Sequence, residues 1–239
     1  MATQTPNRII AVGDIHGCST ALAALVEAIR PGPGDVLISL GDIIDYGPDS
    51  RGVIEQLKAF RERTDLILLT GNHEEMLFAV LDQNRDLGSW TRHGGDKTLE
   101  SYGVDHPRDL PVEDVAFLRT AKWFHETETH AFVHAGYYPN MPLKDTPSSA
   151  LFWEFLDPNR VWPHYSGKTF VVGHTPQTTG EILDLGFVVG IDTDCSRGNW
   201  LTALDTTTGR IWQANQQGEL RERERAVYRL DRTVQEENS

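Results

Sequence analysis

At 239 residues the chain can build one large α/β domain, and 39% hydrophobic with 24% charged residues is the composition of a packed globular protein. No stretch is long and apolar enough to span a membrane, the N-terminal MATQTPNR lacks an apolar signal core, and Cys18 and Cys195 alone make no disulfide framework, so a cytoplasmic protein is expected. A net charge of −13 argues against a nucleic-acid backbone as the main partner and suits carboxylates that bind cations.

In chain order the first apolar run is RIIAV (8–12). A helix follows from near Ser19, with Leu22, Leu25, Val26 and Ile29 at helical spacing, ended by Pro31-Gly32-Pro33-Gly34. VLISL (36–40) precedes a helix with Val53, Ile54, Leu57 and Phe60 on one face. LILLT (66–70) precedes a helix opening at Glu74. This repeated β-α pattern predicts parallel strands with right-handed crossovers. From about Trp90 to Phe124 strand signals are sparse, and short helices are predicted over Asp96–Tyr102 and Val112–Arg119. KWFHET and HAFVH, on either side of Glu128, read as a hairpin. After Phe170 the chain is strand-rich: TFVVG, EILDL, FVVGID, NWLTALD and RIWQA, with Thr206–Gly209 as a tight turn. The charged tail from about Glu219 is expected to fray, with Ala226-Val227-Tyr228 as an alternative edge strand. No internal repeat or low-complexity linker divides the chain, so residues 1–239 read as a single domain.

Five of the apolar runs end in fragments that carry metal or phosphate chemistry. They are Gly13-Asp14-Ile15-His16-Gly17, Gly41-Asp42-Ile43-Ile44-Asp45, Gly71-Asn72-His73-Glu74, His134-Ala135-Gly136 and Gly173-His174-Thr175. Ligands of open α/β sheets bind beyond the carboxyl ends of the strands, so the five loops are expected to converge at one edge of one sheet. Mixed imidazole and carboxylate donors suit Mn²⁺, Fe²⁺ or Zn²⁺. Asp14 and His16 alternate after the first strand and can reach one ion. Asp42 can bridge two ions about 3.5–4 Å apart. Asn72, His134 and His174 offer neutral donors to the second.

These fragments resemble the signature of the phosphoprotein phosphatase family of metallophosphoesterases, in its compact bacterial and phage form: GDxHG, GDxxDRG, GNHE, HAG and GH. The match runs from Arg8 to about Trp212. The resemblance implies a calcineurin-like α/β fold, a four-layer αββα sandwich, with two divalent ions, manganese as the usual metal in vitro and iron or zinc as alternatives. By position, Asp14, His16 and Asp42 fall on the ligands of the first metal. Asp42, Asn72, His134 and His174 fall on those of the second. His73 falls on the general acid, and Asp45 on the carboxylate that orients it. The implied function is phosphomonoester hydrolysis, phosphoserine and phosphothreonine in proteins foremost, by attack of a metal-bridging hydroxide. The implied partner is a phosphorylated protein or a small phosphoester.

The chain also departs from that pattern. Asp-Arg-Gly is replaced by Asp45-Tyr46-Gly47, so the arginine that forks onto phosphate is missing. A second family arginine has no counterpart in Phe152-Trp153-Glu154-Phe155-Leu156, and Arg160 lies just beyond. Arg197, in the loop 192–199, is a candidate replacement cation and Tyr46 a candidate substrate contact. Arg92 and His93 before Gly94-Gly95 are a second possibility. Trp153, Trp162 and Trp200 read as core, Tyr137 and Tyr138 as cleft lining or packing, and Cys18 as a small buried residue. Glu74 and Glu75 read as acids favoured at a helix start. The loss of the phosphate-gripping arginine opens a second reading, hydrolysis of a phosphodiester or a phosphoanhydride such as a dinucleoside polyphosphate. A third is a catalytically weakened regulatory protein that keeps its metals.

Overall fold

The computed structural model describes residues 7–225, and the alternative edge strand at Ala226-Val227-Tyr228 lies outside them. The chain opens with β1 (Ile9–Val12), α1 (Ser19–Ile29), β2 (Val36–Ser39), α2 (Ser50–Arg61), β3 (Asp65–Leu68) and α3 (Asn72–Gln83). The three strands pair in parallel, Ile10 beside Leu37 and Leu37 beside Leu66. The middle holds α4 (Leu87–Trp90), a kinked turn (Thr91–Gly95) with non-helical backbone at His93 and Gly94, α5 (Asp96–Tyr102) and α6 (Val112–Leu118). There follow the hairpin of β4 (Phe124–Glu126) and β5 (His130–Val133), then α7 (Ser148–Trp153), β6 (Thr169–Val172), β7 (Leu183–Asp184) and β8 (Val188–Gly190).

Sequence reasoning places the five chemical loops at one sheet edge, and here the structure differs. β5, β6 and β8 run parallel to one another in a second sheet of order β4-β5-β6-β8-β7. The last strands, β9 (Leu201–Asp205), β10 (Arg210–Ala214) and β11 (Leu220–Glu224), return antiparallel to the first sheet, giving β11-β10-β9-β1-β2-β3. Apolar runs alone identify strands and not the sheet that each joins. The tail expected to fray from Glu219 instead forms β11 over its first residues, its arginines and glutamates alternating across an edge strand. Charges of this kind blunt an edge against further pairing.

The packing follows the two-residue period of buried strands. Ala11, Ile38, Phe132, Val171, Val189 and Leu204 point between the sheets. Their neighbours Ile10, Val12 and Leu37 point outward onto α1 and α2. Ala131, Val133, Phe170 and Val172 point outward onto α7 and the chain around Leu143. The result is a four-layer αββα sandwich, and the carboxyl ends of β1, β2, β3, β5, β6 and β8 meet along one rim. No helix among the described residues is long and apolar enough to cross a membrane.

Phe132 is fully buried between the sheets. Phe132→Ala is expected to cost about 3–5 kcal/mol of unfolding free energy. In urea titration the midpoint should fall while the slope m stays constant.

Candidate metal centre and active site

The six strand ends deliver their side chains to one cleft, about 300 Å³ in volume and lined by Asp14, His16, Asp42, Tyr46, Asn72, His73, Trp153, Phe155, His174, Asp192 and Arg197, among others. His134 lies fully buried beneath it. Tight backbone approach makes this possible. A Cβ on Gly71 would sit 2.0 Å from Oδ1 of Asp42, so the residue before Asn72 has no room for a side chain. Left-handed backbone concentrates here too: His16, Asp42, Asp45, Tyr46, His174 and Asp194 all have positive φ. The only other such non-glycine residues described, Arg30 and Asn84, end helices α1 and α3. Strained conformations of this kind persist where the surroundings over-determine them, and they cluster at functional sites.

Asp42 is the hub. Its Oδ2 lies 3.4 Å from Nε2 of His16, 3.4 Å from Nε2 of His134 and 3.9 Å from Nε2 of His73. Each ring has its other nitrogen committed. Nδ1 of His16 donates to the Ile44 carbonyl at 2.8 Å, and Nδ1 of His134 to the Leu40 carbonyl at 2.9 Å. His73 donates from Nδ1 to Asp45 at 2.8 Å. In His174 the roles reverse, with Nε2 donating to the Trp153 carbonyl at 3.1 Å while Nδ1 faces Oδ1 of Asn72 at 3.1 Å. A carbonyl can only accept, so the bonds of His16, His134 and His174 fix their tautomers and turn a lone pair from each of these three rings toward the cleft. Orientation by such an outer partner is the usual arrangement for metal-ligating histidines.

Charge supports the same reading. Burial, followed by the charges of Asp192 and Asp42, pushes Asp14 well above its ordinary range. Burial, followed by the charge of Glu74, does the same to Asp42. Burial lifts Asp192 to about 6 and Glu74 to about 7. Burial also holds His16 and His134 well below their ordinary value, which keeps them neutral. Neutral ring nitrogens and the Asp42 carboxyl therefore converge within 3.4 Å in a cleft whose lining holds one arginine and no lysine. A divalent cation can take the place of the proton that burial otherwise drives onto the carboxyl, and binds ring lone pairs and carboxylate together. Two donor groups, each within 4.8 Å, share Asp42: His16–Asp42–His73 and Asp42–His134–His174. Asp14 sits in the same cleft with its carboxylate accepting from the backbone N–H of His174 at 3.0 Å.

Behind His73 lies a second buried carboxylate. Asp45 is fully buried and accepts from Trp90 Nε1 at 2.8 Å, from the Thr98 hydroxyl at 2.7 Å and from His73. Burial raises its pKa to about 8 against the pull of the Thr98 and Trp90 hydrogen bonds, and burial lowers His73 to about 3.

Four residues here are absent from the sequence reading of the site. Trp90 and Thr98 hold Asp45 from 45 and 53 positions away. Glu74 is more than a helix-start acid. Its carboxylate accepts from the backbone N–H of Gly71 and Asp42, both at 2.9 Å, and of Ile43 at 2.8 Å, tying the loop after β2 to the start of α3. Asp192 follows the apolar FVVGI, and its resemblance to the other strand-end fragments is the signal that finds it. The expected core tryptophans need correction. Trp153 is 40% exposed on the cleft rim, and Trp162 is 68% exposed. Tyr137 packs on Phe170 with ring centroids 3.8 Å apart, while Tyr138 is exposed over a neighbouring cavity that Arg160 also lines. His93 reaches the cleft; Arg92 points to Asp86 at the surface. Cys18 is buried as expected.

Residues 7–200 match the family model for calcineurin-like phosphoesterases. The chain is 30% identical over 210 residues to serine/threonine-protein phosphatase 1 of Salmonella typhimurium, covering 80% of this chain and 88% of that protein. It is also 30% identical over 137 residues to a symmetrical bis(5'-nucleosyl)-tetraphosphatase of Janthinobacterium, covering 57% of this chain and 46% of that protein, so it spans about half that relative's length. In three dimensions it is similar to a cold-active protein-tyrosine phosphatase of a psychrophilic Shewanella, with TM-score 0.63, 17% identity and coverage of 91% of this chain and 80% of that one.

Glu74→Gln keeps the shape but sets an amide NH₂ against backbone N–H groups that now donate to an oxygen. An unsatisfied buried donor costs about 1–3 kcal/mol. The metal-free variant is expected to melt earlier than wild type. Calorimetric titration should also show weaker manganese binding, because the Asp42 loop loses its anchor.

Proposed function

Because the chain belongs to the calcineurin-like phosphoesterase family, we propose that it is a metal-dependent phosphatase acting on phosphomonoesters of aliphatic alcohols, with phosphoserine and phosphothreonine in proteins as the substrate class. The observation that carries this reading is the His73–Asp45 pair, 2.8 Å apart, with the free Nε2 of His73 turned to the cleft beside Asp42. A serine or threonine alkoxide is a poor leaving group, and it needs a proton as the P–O bond breaks. A protein that only bound metal would have no use for this pair.

Asp14, His16 and Asp42 would hold one divalent ion, and Asp42, Asn72, His134 and His174 the other, with manganese the metal we assign. Two such ions supply Lewis acidity to the phosphoryl oxygens and an activated water for attack. The rest falls to side chains of this chain. Asp42 joins the two donor groups. The negative charge of an entering phosphate favours the protonated ring; His73 then gives its Nε2 proton to the leaving oxygen, while Asp45 fixes the ring through Nδ1. Trp90 and Thr98 hold Asp45 in place and keep water from it.

A second reading, cleavage of a phosphoanhydride such as a dinucleoside polyphosphate, is favoured by one feature of the rim. Tyr46, Trp153 and Phe155 are 36%, 40% and 66% exposed around the cleft, and exposed aromatic faces suit nucleobases. The two readings separate on a panel of phosphopeptides, a bis-ester and a dinucleoside tetraphosphate assayed with manganese.

Two outcomes are expected. Asp42→Asn should lose activity and, by elemental analysis, one or both metals together. Full metal occupancy in that variant would rule out the shared role. His73→Asn should lower kcat on a phosphoserine peptide by about 10²–10⁴-fold, and far less on an activated aryl phosphate. Equal losses on both substrates would remove His73 as the acid.

A further inference from the structure

Phosphate brings two negative charges into a cleft already crowded with carboxylates. Arg197 is the one arginine or lysine among the residues that line it. The other cations that the sequence offers point elsewhere: Arg92 faces Asp86 at 3.6 Å, and Arg160 lines a separate cavity. Arg197 ends a short 3-10 turn, Cys195–Arg197, that follows Asp194 in left-handed backbone. Its side chain is 65% exposed, and among the described residues its one carboxylate neighbour within 4 Å, Asp194, lies 3.9 Å from Nε. So exposed a fork can turn its nitrogens to an oxyanion.

The guanidinium lies 5.9 Å from the ring centre of Tyr46. Tyr46 itself is fixed with care. Its backbone is left-handed, with φ +60°, and its N–H donates to the Gly94 carbonyl at 3.2 Å. Its ring stands edge-on to His16, with centroids 5.0 Å apart, and 5.0 Å from that of His73. Gly94, with φ +89° at a kink between two helices, makes the close approach possible: a Cβ there would sit 2.6 Å from the Tyr46 ring and from its backbone nitrogen. A residue held in left-handed backbone by so close an approach is a common mark of a functional position. The tyrosine thus stands between the metal-ligand rings and the lone arginine, half open to solvent.

We propose that Tyr46 and Arg197 form a two-part clamp for the non-bridging oxygens of the phosphoryl group, the tyrosine donating one neutral hydrogen bond and the arginine a charged fork. The clamp rests on the phosphatase reading above, and it differs from a single arginine at position 46. Cation and hydroxyl come from separate loops, after β8 and after β2, so the grip closes only when both loops are in place. The Gly94 turn is the positioning element for the tyrosine half.

The test uses the full chain loaded with manganese and inorganic phosphate as the probe, measured by calorimetry and as a competitive inhibitor of aryl phosphate hydrolysis. Arg197→Ala should weaken phosphate binding about 10- to 100-fold and Tyr46→Phe about 2- to 10-fold, the range of one charged and one neutral hydrogen bond. For the aryl phosphate both should raise KM more than they lower kcat, because these oxygens are held before and during reaction. Gly94→Ala should act in the direction of Tyr46→Phe although the hydroxyl is still present, and Arg160→Ala should leave phosphate affinity unchanged. The double variant should lose less than the product of the single losses, the signature of two groups on one anion. Unchanged phosphate affinity in both Arg197→Ala and Tyr46→Phe, in a protein that hydrolyses phosphoesters, overturns the clamp. Phosphate binding that depends on both residues in a protein that cleaves no phosphoester leaves the clamp standing and overturns the phosphatase reading instead.

Discussion

A buried carboxyl facing two imidazole lone pairs is the constraint on which this molecule turns. Asp42 is almost wholly buried, and the rings of His16 and His134 each spend their proton on a backbone carbonyl outside the cleft. Without a cation, burial drives a proton onto Asp42, and a divalent ion must displace it to bind. The fold therefore spends stability to build a site that divalent ions stabilise, and the backbone bears part of the cost in its left-handed residues. Glu74 shows how the cost is contained. A further acid beside Asp42 looks like a liability, yet its oxygens accept from the backbone N–H groups of Gly71, Asp42, Ile43 and Ile44. It works as a bracket for the loop and leaves the charge of Asp42 to the metals.

The sandwich explains why six strand ends are available. A single open sheet presents its carboxyl ends along a line, and its outermost loops are far apart. Two sheets packed face to face, each with three parallel strands, fold that line in half. Asp14, Asp42 and Asn72 then face His134, His174 and Asp192 across the rim. Phe132, Val171 and Ile38 between the sheets set this separation. The core and the metal centre are in this sense one structure: a change in the packing between the sheets is a change in the distance between the two halves of the donor set.

Much of this was legible in the sequence, for a physical reason. Buried parallel strands must be apolar, ligands at strand ends must follow them directly, and glycine must precede a ligand wherever two loops come into contact. Those local rules find Asp14, His16, Asp42, Asn72, His73, His134 and His174 without a structure. What failed was whatever depended on pairing between distant segments. Nothing in VLISL or TFVV says which sheet it joins. Trp90 and Thr98 sit in a stretch with weak periodicity, and their importance comes from their hydrogen bonds to Asp45, one from Trp90 and two with Thr98. Trp153 reads as core by residue type, but it is the last residue of a short helix at the cleft rim and stays 40% exposed. Asp192 was the avoidable omission, since it closes an apolar run as Asp14 and Asp42 do.

The balance of charge around the cleft distinguishes this chain from the pattern it otherwise resembles. With an arginine at position 46, a guanidinium would sit beside the His16 and His73 rings and add a positive charge next to Asp42. With tyrosine there, the ring fills the same space and contributes no charge, and Asp45 keeps its three partners His73, Trp90 and Thr98. The cation has moved outward to Arg197, on the loop that also carries Asp192 and Asp194. A charge at the mouth of an acidic cleft acts at longer range than one at its floor and is more exposed to salt. Under the proposed clamp, the phosphate charge would be shared between the metal ions below and one guanidinium above. The neutral aromatic surface between them, Tyr46 with Phe155 and Trp153 opposite, is left to discriminate by the shape of the group that the phosphate carries.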